Sequence, residues 1–117
     1  MKLEELALLT REEIEKEIYR CYPDPSDPAN PYELDQAGKN RIRLHQEISR
    51  LQIEALLDGK LSIDQVVEQN HDPNANPREC IDDIHRKLLE QALWDYQKSE
   101  KDRYEIVSET VYHLGLL

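Results

Sequence analysis

Apolar residues recur along this chain at intervals of three and four, the period of one helix face, and nowhere alternate for long at period two. Thr10-Arg11-Glu12-Glu13 reads as a capping box, in which the Thr10 hydroxyl accepts from the Glu13 amide and Glu13 reaches back. Leu9 precedes the box and Ile14 follows it, as a hydrophobic staple requires. Ile14, Ile18 and Cys21 then share a face, so the spacing predicts a helix from Thr10 to about Tyr22, with Leu3, Leu6 and Leu9 marking a short helical turn before it. Four prolines between Pro23 and Pro31 forbid helix and predict a turn-rich loop.

Asn30 and Pro31 form a cap-plus-proline start for a long helix, which Gly59 stops after Asp58. Leu34, Ala37, Leu44, Ile48, Leu51 and Ala55 make one apolar stripe on it. Ile42, Ile53 and Leu57 lie on a second, so the C-terminal half is apolar on two sides. A helix with that pattern is central in a bundle or meets another chain. Ser62 caps a short helix from Ile63 to about Gln69.

A second loop, Asn70 to Pro77, ends in Asn76-Pro77 and repeats the earlier start signal. The last helical region carries Ile81, Ile84, Leu88 and Ala92 on one stripe. A second stripe begins with Leu89, Leu93 and Tyr96 and continues as Tyr104, Val107, Val111 and Leu114. The change of face predicts a break near Ser99–Asp102, where Asp102-Arg103-Tyr104-Glu105 offers another capping box. Gly115 ends the helix and Leu116-Leu117 is expected to pack back. The pattern predicts an all-α fold: a four- or five-helix bundle with two long antiparallel helices and Pro-rich connecting loops, one domain over residues 1–117.

Composition narrows the function classes. The formal net charge is −10, spread evenly without an acidic block, which argues against binding to nucleic acid or to an anionic membrane. The turn at Gly59 followed by a Ser62-capped helix has the outline of a DNA-reading motif, but Ile63–Gln69 holds two acids and no base. No apolar run approaches the ~20 residues of a membrane span, and the acidic start lacks the pattern of a secretory signal. Cys21 and Cys80 are the only cysteines. Each sits at the end of an apolar pattern, so each is expected to be a small buried hydrophobe in a reduced, cytoplasmic protein.

Chemistry is sparse. Asp82 and His85 stand one helical turn apart, the spacing of half a di-metal site, but no second pair follows. Arg41 and His45 lie beside the main stripe of the long helix, where a buried arginine would need an acid such as Asp82, Asp95 or Asp102. Arg41, His45, Asp82 and His85 therefore form a candidate anion or metal set in an alternative reading as a helical-bundle enzyme. No nucleophile elbow, phosphate loop or Cys–His zinc spacing is present, and no catalytic residue, metal or cofactor is assigned.

Trp94 lies roughly opposite the stripes beside Lys87, Gln91 and Lys98, a place for a contact with a partner. Together with Ile42, Ile53 and Leu57 it forms the expected contact set. The sequence thus favours a small acidic helical protein–protein interaction module without catalysis of its own. Its partner is another protein, with a basic protein and a second copy of the chain both among the options.

Overall fold

A computed structural model describes residues 2–24, 31–71 and 81–115. They form six helices: α1 (Leu3–Leu6), α2 (Arg11–Cys21), α3 (Pro31–Leu57), α4 (Ile63–Gln69), α5 (Ile81–Lys98) and α6 (Arg103–Gly115). There is no strand among the described residues, and the architecture is an all-α bundle. The Asn30 cap, the Asn76-Pro77 start, Cys80 and the terminal Leu116-Leu117 lie outside the described residues.

Local signals set the helix ends. At α2 the Glu13 amide donates to the Thr10 hydroxyl at 3.4 Å, and that hydroxyl donates to the Glu13 carboxylate at 2.9 Å. At α4 the box is reciprocal: Gln65 N–H donates to Ser62 Oγ at 3.2 Å, and Ser62 N–H to Gln65 Oε1 at 2.8 Å. Gly59 adopts φ +80°, which lets Lys60 N–H reach Ala55 O at 2.8 Å and Gly59 N–H reach Leu56 O at 3.1 Å. That pair of bonds is a Schellman termination, and it needs a left-handed residue at Gly59.

Two apolar clusters share α3. The larger joins Ile53, Leu56 and Leu57 of α3 to Leu61, to Val66 and Val67 of α4, to Leu89 and Ala92 of α5, and to Ile106 and Val107 of α6. The smaller joins Leu6, Ala7, Ile14 and Ile18 to Ile48. Between them Gln69 is buried, and its Nε2 donates at 2.8 Å to the carbonyls of both Ala7 and Leu9. The N-terminal arm is thereby fastened to the end of α4. The chain breaks at Ser99–Asp102 as predicted, and α6 runs back along α3. At one end Arg103 grips Asp58 with two bonds of 2.7 and 3.1 Å. That pairing lowers the Asp58 pKa and raises that of Arg103.

Several side chains depart from the expected stripes. Ile53 (0% exposed) and Leu57 are core residues, not outward-facing contacts. The second stripe of α3 is covered from within the chain, because α4, α5 and α6 all close over it. Cys21 is exposed, since it is the last residue of α2 and extends past the Ile14–Ile18 contact with α3. Leu34 and Tyr104 are also exposed. On α5 the buried line runs through His85, Leu89 and Ala92, which leaves Ile84 partly exposed.

Candidate functional site

Past the larger cluster, α3 continues toward its N-terminus with α2 on one side and α6 on the other. The result is an open groove of about 1160 Å³, with α3 as its floor. Glu15, Ile18 and Tyr19 of α2 form one wall, and Ser108, Val111, Tyr112 and Leu114 of α6 the other. The floor runs from Arg41 to Arg50. Ile42 is 60% exposed there and Tyr112 65%, and Tyr19 also stands largely in solvent. An apolar and aromatic surface thus remains uncovered after the chain has folded.

Polar residues frame this surface. Three arginines and two glutamates line it, a net charge of +1 in a chain of formal charge −10. Most of these charges are already matched. Arg41 donates to Asp24 at 2.7 Å and to the Tyr22 carbonyl at 3.3 Å, and its guanidinium lies 4.7 Å from the Tyr19 ring centre. Arg50 binds Glu47 and, at 3.1 Å, Glu54, and the Glu47 contact raises the Arg50 pKa against a smaller opposing effect of burial. Glu15 is held by Arg11 at 3.0 Å. Arg43 has no acidic partner among the described residues, because Glu47, one helical turn away, turns to Arg50.

The structure separates the candidate anion or metal set. Arg41 and His45 line the groove, whereas Asp82 and His85 do not. Asp82 accepts from or pairs with His71 Nδ1 at 2.8 Å. His85 is buried with neither ring nitrogen hydrogen-bonded, and burial lowers its pKa, with Asp82 opposing that shift. The acid that meets Arg41 is Asp24, not Asp82, Asp95 or Asp102. No three His, Cys, Asp or Glu side chains group as metal ligands among the described residues.

Of the expected contact residues, Ile42 lies in the groove, and Trp94 is 56% exposed on α5 outside it. Tyr19 and Tyr112 were not singled out from sequence, and the i,i+4 spacing of Arg43 to Glu47 reads as a pair on a solvated face, whereas Glu47 pairs with Arg50. Tyr19 and Tyr112 fall outside the apolar stripes, and only the packing of α2 and α6 against α3 brings them to one place. No described helix is long and apolar enough to cross a membrane. Comparison of the chain with protein-family models, with curated proteins and with solved structures found no match.

Proposed function

We propose that this chain is a small acidic helical interaction module that binds another protein and performs no catalysis of its own. The observation that carries this reading is the groove between α2 and α6, floored by α3 and lined by exposed Tyr19, Ile42 and Tyr112. Tyrosine and arginine are the residue types that anchor protein interfaces, because each combines large contact area with polar reach. At about 1160 Å³ the groove is larger than the ~300–1,000 Å³ of small-molecule pockets and open along its length. That shape suits one face of a helix.

Ile42 is the central contact, and Trp94 is a second, separate one. Outside the groove the surface is acidic, which favours approach by a partner with basic surface. Two copies of a chain with charge −10 repel each other, so a distinct protein suits the surface better than a homodimer. The exposed free thiol of Cys21 suits a reducing compartment, and we place the protein in the cytoplasm.

The test is co-purification with the parent chain, Ile42→Asp and Tyr112→Ala, followed by titration of the recovered partner in purified form. The expected result is a partner whose affinity falls at least about tenfold with Ile42→Asp, consistent with loss of a central anchor. A partner held equally by all three chains refutes the assignment to the groove. A light-scattering mass of twice 13.8 kDa that reverts in Ile42→Asp replaces the distinct protein with a second copy.

A further inference from the structure

We infer that the segment seated in the groove is an amphipathic helix whose apolar face is flanked by a carboxylate, and that this carboxylate pairs with Arg43. The inference rests on the groove being the docking surface and adds the chemistry of what docks.

Charge matching in the groove carries it. Arg41 is matched by Asp24, Arg50 by Glu47 and Glu54, and Glu15 by Arg11. What remains beside exposed Ile42 is the Arg43 guanidinium, with no acid on it among the described residues. An occupant covering Ile42 and Tyr112 removes water from this neighbourhood. A guanidinium that loses water without gaining an acceptor opposes binding, and a lysine or arginine brought beside it is repelled. A carboxylate supplies what is missing, as a planar two-oxygen acceptor for a planar fork of donors. The rest of the occupant follows from shape. Two helices already flank α3 with a gap between them, and a third helix with apolar residues at i, i+3, i+4 and i+7 fills such a gap. The groove therefore prefers acid although the molecule as a whole is acidic.

The experiment uses the full chain and displayed peptides of about 16 residues, roughly four helical turns. The apolar positions are fixed in helical register, and the flanking positions are randomised among Glu, Gln and Lys. Binders to the parent are counter-selected against Ile42→Asp, so that only groove-dependent clones remain. The expected result is an excess of Glu over Lys of at least about fivefold, as a charge-assisted contact provides. The preference should reverse for the exposed variant Arg43→Glu. Groove-dependent clones with no excess of Glu over Gln and Lys overturn this inference and leave the docking surface standing. Clones that bind Ile42→Asp as well as the parent, or a selection that yields no binder, overturn the docking surface and this inference with it.

Discussion

Gln69 offers the sharpest test of how the N-terminal arm is held. Its amide nitrogen is the shared donor to two backbone carbonyls, each at 2.8 Å, more than fifty residues away in the chain. Gln69→Glu preserves shape but sets an acceptor against two acceptors. The buried carboxyl must then take up a proton. For an unfolded pKa of about 4.3 this costs about 3.7 kcal/mol at pH 7 and about 0.6 kcal/mol at pH 4.5. The protonated acid restores one donor, so one hydrogen bond of about 1 kcal/mol stays lost at either pH. Gln69→Glu is therefore expected to destabilise by about 4–5 kcal/mol near pH 7 and about 1–2 kcal/mol near pH 4.5.

The sign follows from proton uptake. The folded variant holds a proton that the unfolded chain releases, so its folded pKa is raised. The stability it gains from that proton is complete below about 4.3 and is lost as pH rises through the folded value. Gln69→Leu removes both donors at every pH, and its penalty of about 1–3 kcal/mol should be flat. Urea denaturation of both variants and the parent, followed by circular dichroism from about pH 4.5 to pH 7, measures the differences. A Gln69→Glu penalty that is equal at the two ends, or below about 1 kcal/mol at pH 7, would show that the amide faces water and not the two carbonyls.

Three further outcomes follow from the packing. Ile53→Ala, in the centre of the larger cluster with no exposed surface, should cost about 2–5 kcal/mol in urea denaturation, and less than about 1 kcal/mol would place Ile53 at a surface. Gly59→Ala meets no atom within 4 Å, so its cost of about 1 kcal/mol is the left-handed backbone alone, and a stabilised variant would rule out the Schellman end. Burial depresses the folded pKa of His85 from its ordinary 6.5, so the unfolded chain takes up that proton first. Its stabilising contribution is present above about pH 6.5 and is lost as pH falls through the folded value, and His85→Leu should flatten that part of the thermal-melting profile. An unchanged slope in His85→Leu would assign the pH dependence to other groups.

The helices were legible because their signals are local. Thr10, Ser62 and Gly59 each act on backbone groups within a turn of themselves, and sequence displays such neighbours directly. The break at Ser99–Asp102 was legible for a similar reason, since the apolar stripe changes face there. Which stripe meets which neighbour was not legible. Ile53 and Leu57 have the spacing of an outward face, and only the closure of α4, α5 and α6 makes that face interior. The α5 register slipped by one residue for a chemical reason. His85 is a weakly polar ring that can be buried when neutral, so it takes the inward place that Ile84 would be given on hydropathy alone. The groove is the extreme case, because Tyr19, Ile42 and Tyr112 come from three helices and share no sequence pattern.

Placing two apolar clusters on one long helix has a dynamic consequence. The segment from α1 to α2 is tied to the remainder by the small cluster around Ile48, by the Gln69 amide and by Arg41, which reaches Asp24, the Tyr22 carbonyl and the Tyr19 ring. It takes no part in the larger cluster, so it is the natural unit to open ahead of global unfolding. Because α2 is also one wall of the groove, every such opening dismantles the binding surface, and anything lodged there must hold the arm shut. Occupancy should therefore slow amide hydrogen exchange in α2, and a mutation loosening the arm weakens the ligand in proportion to the fraction of molecules whose arm is closed.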